Sequence, residues 1–230
     1  MASSPTTEKV IPYALLGLTA VTGLVDAVSY LSLGRVFTAN MTGNIVLLAF
    51  ATAHVSGLSI ARSLTALVAF LVGATLGGRL MAQASAESQI RFAAQAFLVE
   101  VAFLLAASVC GIGYRGDLLE HSFQPFALIA LTALAMGTRN AAVRKLAIPD
   151  LTTTVLTLTI TGIGADSSLA NGNNPRLARR VASVAAMFLG AALGAVVIRY
   201  SISAALWLAT AISATCSVIL FRSGPTPDKR

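Results

Sequence analysis

Residues Ala61–Gly77, ARSLTALVAFLVGATLG, and Ala178–Gly194, ARRVASVAAMFLGAALG, align without gaps at an offset of 117. Arg62 falls on Arg179, Gly73 on Gly190, Leu76 on Leu193 and Gly77 on Gly194. A weaker pair lies upstream: Gly23-Leu24-Val25-Asp26-Ala27 before the first stretch and Gly137-Thr138-Arg139-Asn140-Ala141 before the second. A polar run follows each, Ala39-Asn40-Met41-Thr42-Gly43-Asn44 in one and Leu151-Thr152-Thr153-Thr154 in the other. A duplicated apolar chain with polar groups in corresponding places is the usual trace of a secondary transporter. The expected copies cover residues 10–113 and 123–221 of one polytopic unit.

Composition sets the solvent. Of 230 residues, 56% are hydrophobic and 11% charged, with a mean hydropathy of +0.80. A soluble domain carries about 25% charge, so a lipid bilayer is the expected partner. The net charge of +7 is not gathered into a basic face with interleaved aromatics, which excludes a nucleic-acid partner. Cys110 and Cys216 both lie in apolar runs, and His54 and His121 are far apart. Neither a disulfide framework nor a metal site is expected, and no cofactor fingerprint is present. The polar N-terminal stretch MASSPTTEKV leads into a run too long for a signal peptide, so a retained first span is expected.

Six runs suit a spanning helix of about 20 residues: Val10–Leu33, Arg62–Leu80, Phe92–Gly113, Phe123–Val143, Ala178–Ile198 and Ser201–Phe221. Met41–Val55 and Leu151–Ile163 are too short to span and occupy equivalent places, the best pointer to a transporter's binding site. If both dip in and return, the basic residues divide 12 against 4; if all eight runs cross, they divide 9 against 7. The positive-inside rule favours six spans, with both termini in the cytoplasm and the copies inverted. Arg62 and Arg179 then lie on opposite sides. The expected fold is an all-α integral membrane protein with about six transmembrane helices, two half-spanning segments and two inverted repeats. The polar tail Ser223–Arg230 is expected to be disordered.

The candidate site residues are the polar ones held at membrane depth. Asp26 is costly inside a span, so it is either a proton or cation relay or an anchor to a neighbour. Arg139 and Asn140 take the matching place. Arg139 either pairs with Asp26, holds an anionic solute, or, being close to Arg144 and Lys145, reaches the cytoplasmic surface. Asn40, Thr42, Gly43 and Asn44 open the first short segment, and Thr152, Thr153 and Thr154 the second, where helix N-termini offer backbone donors or simple caps. Glu100 is a second interior carboxylate, relay or structural partner. Gly73, Gly77, Gly190 and Gly194 form small-xxx-small faces for close helix packing.

Three stretches, GLVDAVSYLSLGRVFTANMTGN at Gly23–Asn44, AMGTRNAAVRKL at Ala135–Leu146 and TTTVLTLTITGIGAD at Thr152–Asp166, resemble the YoaK-like family of bacterial membrane proteins, named for a domain of unknown function. The family more often has Gln where this chain has Arg139, which leaves Asn140 the better-supported position. The resemblance implies a multispan protein of the bacterial inner membrane and brings no substrate.

The expected function is a small-solute transporter or permease, coupled to protons through Asp26. The alternative is a non-transporting scaffold or accessory subunit. An enzyme is not expected, since no nucleophile–base pair is visible. The implied partners are lipid, a small solute or ion and, as an open alternative, a second copy in a homo-oligomer.

Overall fold

Backbone inside an apolar layer must satisfy its own hydrogen bonds, and helices do so. This computed structural model describes residues 5–85, 88–116 and 123–223, with side chains from residue 10 onward. It contains α1 Pro5–Ser32, α2 Met41–Thr52, α3 Ile60–Ala82, α4 Gln89–Cys110, α5 Phe123–Leu146, α6 Thr157–Ala165, α7 Leu177–Val197 and α8 Ile202–Ser223, with one 3-10 turn at Ser168–Ala170. All regular elements among the described residues are helical. His121, most of the loop Tyr114–Ser122, the first four residues and the tail beyond Ser223 lie outside them.

Helices α1, α3, α4, α5, α7 and α8 are long and apolar enough to cross a membrane. At 1.5 Å per residue, α2 and α6 measure about 18 and about 14 Å, roughly half of an apolar core about 30 Å thick. Local chemistry sets their starts. Asn40 caps α2, its Oδ1 accepting from the Gly43 amide at 3.4 Å. Thr152, Thr153 and Thr154 do not open α6 as expected. Thr153 has φ +60°, which a right-handed helix cannot use, and the Thr154 amide closes a tight turn onto the Thr152 carbonyl at 2.8 Å. The helix therefore starts at Thr157.

Glycine contacts give the directions of the long helices. Gly23 of α1 lies against Met187 and Ala191 of α7, Gly190 against Ala20, and Gly194 against Leu24. Numbers rise together, so α1 and α7 run parallel. Gly137 of α5 lies against Phe70 and Ala74 of α3, Gly73 against Leu134, and Gly77 against Thr138. Those two helices are parallel as well. Helices α4 and α8 are antiparallel, with Ser203 Oγ donating to the Ser108 carbonyl at 2.9 Å and Ser213 Oγ to Glu100 at 2.8 Å. The Tyr114 hydroxyl donates to the Ser32 carbonyl at 3.2 Å, joining the ends of α4 and α1.

One face of the bundle thus gathers the C-termini of α1, α4 and α7 with the N-termini of α3, α5 and α8. Helix α2 leaves and rejoins that face, since Gly34 at the end of α1 touches the Arg62 guanidinium at the start of α3. Helix α6 leaves and rejoins the opposite face. Both short segments thus begin and end on one face of the bundle, and the six long helices connect the two faces.

Helices α1 and α5 are central, with 61% of each spanning window buried against 33% for α3 and 22% for α7. Leu71 and Val72 of α3 and Phe188 and Leu189 of α7 are exposed, as lipid-facing side chains would be. The core divides into one cluster around Leu24, Val28, Met136 and Leu206 and another around Leu15, Leu18, Phe97 and Val143.

These close crossings yield the first prediction. A Cβ at Gly190 would overlap the Ala20 carbonyl, whereas one at Gly78 meets open space. Gly190→Ala should cost about 1–3 kcal/mol by overpacking, and Gly78→Ala should gain about 0.5–1 kcal/mol through helix propensity. Thermal melting in detergent checks the pair; equal shifts would contradict the α1–α7 contact.

Candidate functional site

Asp26 projects from α1 six residues before its end. The chain beyond Ser32 doubles back beside it, and the Ala39 amide donates to Asp26 Oδ1 at 3.1 Å. The amides of Thr38 and Asn40 lie on the same carboxylate. The second half repeats the device with neutral groups. Asn140 sits six residues before the end of α5, and the returning loop places the Thr154 hydroxyl as donor to Asn140 Oδ1. Each re-entrant segment therefore runs inward as a loop, turns beside a polar residue of a long helix, and runs outward as a short helix. Their N-terminal ends meet inside the bundle.

A cavity of about 540 Å³ occupies that meeting point. Among the candidates, Asp26, Asn40, Thr42, Gly43 and Thr154 line it. Asn140 stands behind Thr154, its amide donating to the Met136 carbonyl at 3.1 Å. Asn44 is also behind the wall, accepting from the Phe37 amide at 3.3 Å and donating to the Ser63 carbonyl at 3.4 Å. Thr152 Oγ1 donates to the Val155 carbonyl at 2.8 Å and shapes the loop. Thr153 is buried, and its hydroxyl has no hydrogen-bond partner among the described residues.

Arg139 and Glu100 are elsewhere. Arg139 was expected near the cytoplasmic surface, beside Asp26, or on an anionic solute. It is instead fully buried and points at α4 and α1. Its Nη1 donates to Glu100 at 3.1 Å and to the Leu18 carbonyl at 3.0 Å, and its Nη2 to Thr22 Oγ1 at 2.6 Å. Glu100 also accepts from Ser213. The reason is rotational: position 139 of α5 faces the helices of the core, so full desolvation makes an ion pair the available solution.

Sequence reasoning missed two features. Tyr30 and Phe37 stack at 5.0 Å and line the cavity. Tyr30 stands one helical turn from Asp26 on the same face, a spacing that pointed to it. The second is a charge cluster that straps the second re-entrant segment to α7. Arg176 meets Asp150 at 2.6 Å, and Arg180 meets Asp150 at 3.0 Å and Asp166 at 2.7 Å while also donating to the Gly162 carbonyl. Partial burial raises the Asp150 pKa, but the hydrogen bonds from Arg176 and Arg180 outweigh it, so the net shift is downward.

The profile of a family described as "Protein of unknown function (DUF1275)" matches residues 14–219. The chain is 39% identical over 155 residues to the UPF0700 transmembrane protein YoaK of Bacillus subtilis (strain 168), covering 67% of this chain and 65% of that protein, just under two thirds of its length. No solved structure matches. Six apolar helices and a transmembrane relative make this a multi-pass membrane protein.

Two predictions follow from the ion pairs. Glu100→Leu alone strands a buried guanidinium and should cost about 3–5 kcal/mol, while the double variant Glu100→Leu/Arg139→Met should recover most of it; melting of the single and double variants decides. Asp150→Asn should lower the melting temperature at neutral pH. Because the folded Asp150 carboxyl titrates below its ordinary value, that difference should persist as pH falls and close only below about pH 4. Loss of the difference already at pH 6 would contradict the strap.

Proposed function

The chain belongs to the DUF1275 family, and on that premise we propose that it is a small-solute transporter of the bacterial inner membrane working by alternating access. One observation carries the proposal: two half-length helices enter from opposite faces and join their N-terminal ends at a cavity that also holds a carboxylate.

Inverted repetition of the two halves supports it. Gly23 and Gly137 stand 114 apart in the chain, and their partners, Met187 with Phe70 and Ala191 with Ala74, stand 117 apart. Gly190 on Ala20 mirrors Gly73 on Leu134 at the same two offsets. Three cavity pairs map onto each other at the first offset: Asn40 with Thr154, Thr42 with Leu156, and Gly43 with Thr157. These residues would sit on the axis relating the halves.

The rest of the lining is one-sided. Asp26, Ala27 and Tyr30 of α1 and Ala191 of α7 line the cavity; their counterparts Asn140, Ala141, Arg144 and Ala74 do not. Exchanging the two packings would close the first set and open the second, which is the rocking of one half against the other around a fixed site. Basic residues give the orientation. Arg79, Arg91, Arg144, Lys145, Arg176, Arg179, Arg180 and Arg222 belong to the face where α1 begins, against Arg35, Arg62, Arg115 and Arg199 opposite. The first face is assigned to the cytoplasm. The cavity then leans outward, toward the last turn of α1, and the Asp150–Arg180 strap lies on the inner side.

In this scheme Asp26 takes up and releases a proton during the cycle, and the role is vectorial without bond chemistry. Glu100 and Arg139 brace α4, α5 and α1 behind it. The competing scaffold role draws on that sealed pair, because interhelical polar bonds there serve cohesion alone.

Cysteines placed at Ala27 and Ala191 should label together from one side of the membrane, and cysteines at Ala74 and Ala141 from the other. Added solute should shift the two patterns in opposite directions. In proteoliposomes, Asp26→Asn should assemble normally and lose uptake by about tenfold or more. Normal assembly with no uptake by either protein across a broad solute panel would favour the scaffold.

A further inference from the structure

The cavity's electrostatics say which solutes fit. Among the described residues, Asp26 is its single charged lining side chain. Arg139, the cation acting on Asp26 through space, is held in an ion pair with Glu100 and touches α1 a turn earlier, at Thr22. With all three ionised, the interior set Asp26, Glu100 and Arg139 sums to one negative charge. Arg62 and Arg180 lie at the starts of α3 and α7, and Arg180 is engaged by Asp150 and Asp166. Helices α6 and α7 bring no ionisable side chain to the lining, and α1 adds only the Tyr30 phenol. The amides of Thr38, Ala39 and Asn40 and the N-terminal ends of α2 and α6 offset part of the Asp26 charge, but among the described residues no cationic side chain forms an ion pair with it, so a proton or another cation balances the remainder.

The remaining wall fits an organic cation rather than a bare ion. The space of about 540 Å³ lies in the range of small-molecule sites, which is about 300–1,000 Å³. The stacked rings of Tyr30 and Phe37 line the same cavity as the carboxylate, and aromatic faces attract ammonium groups. Leu31, Ile160 and Met187 supply apolar surface for a carbon skeleton.

Resting on the transporter reading of this same cavity, we propose that the cargo is a small monovalent organic ammonium ion, bound by Asp26 in exchange for a proton. The step balances: R–NH3+ meets the protonated Asp26 carboxyl, the carboxylate–ammonium pair forms, and one proton leaves to water. One carboxylate cannot hold both partners, so cation and proton move in opposite directions.

The test uses the full chain in detergent micelles with benzylammonium as probe and benzyl alcohol and benzoate as controls. Benzylammonium should bind alone of the three and release up to one proton in weakly buffered solution. Its apparent Kd should fall by up to tenfold per pH unit while the carboxyl is protonated, then level off. Asp26→Glu should retain weakened binding, and Tyr30→Leu should weaken it by about threefold or more. Asp26→Asn should abolish it; should that variant fail to fold because the Thr38–Asn40 loop is released, the wild-type pH dependence and the other two variants decide. Equal binding of benzyl alcohol or benzoate, no binding of benzylammonium between pH 5 and 9, or a pH-independent Kd would overturn the cation assignment. Uptake of a neutral or anionic solute without ammonium binding sinks that assignment and leaves transport standing. Ammonium binding without flux in proteoliposomes supports the site and overturns the transporter reading instead.

Discussion

The chain turns back on itself twice inside the apolar layer, and a polar side chain six residues from the end of a long helix holds each turn. At Asp26 the partner is the Ala39 amide, and at Asn140 it is the Thr154 hydroxyl. Without Asp26 the amides of the returning chain would be left unsatisfied at that depth at a cost of several kcal/mol each, and without Asn140 the Thr154 hydroxyl would lose its nearest acceptor. These anchors allow α2 and α6 to stop halfway. Stopping halfway brings their ends together, and the cavity is the space between them.

Close helix packing is the second requirement. Glycines let α7 grip α1 and α3 grip α5 at backbone distance, so each central helix is fixed to an outer one facing lipid. The grip is reciprocal: each helix of a pair contributes glycine to the crossing. Apolar side chains gain little from burial when lipid is the alternative, so intimate van der Waals contact replaces the hydrophobic effect as the source of cohesion. The Glu100–Arg139 pair adds a polar bond that joins α4 to α5, with Thr22 and the Leu18 carbonyl drawing in α1.

The long helices and the two short segments were legible because hydropathy and length record what a bilayer demands. Asp26, Asn40 and Thr42 were legible as polar residues where lipid would reject them, and Gly43 as part of the same helix entry. The partner of Arg139 was not, since pairing with a residue 39 positions away depends on how two helices are rotated about their axes. A gapless match set Arg62 against Arg179, yet its neighbour Arg180 forms the ion pairs with Asp150 and Asp166, because one residue turns a helix by about 100°. The start of α6 was misplaced for a different reason. The left-handed conformation of Thr153 is a tertiary outcome that composition does not record.

Asp26 is matched in place by the neutral Asn140, and Glu100 and Arg139 cancel each other as a pair, so an ionised Asp26 leaves one negative charge at depth on one side of the cavity. Any exchange of the two packings would move that charge relative to the electric field across the bilayer. A full elementary charge crossing 100 mV corresponds to about 2.3 kcal/mol. The resting voltage would therefore bias which packing an empty, unprotonated molecule adopts, and a bound proton or cation would cancel that bias.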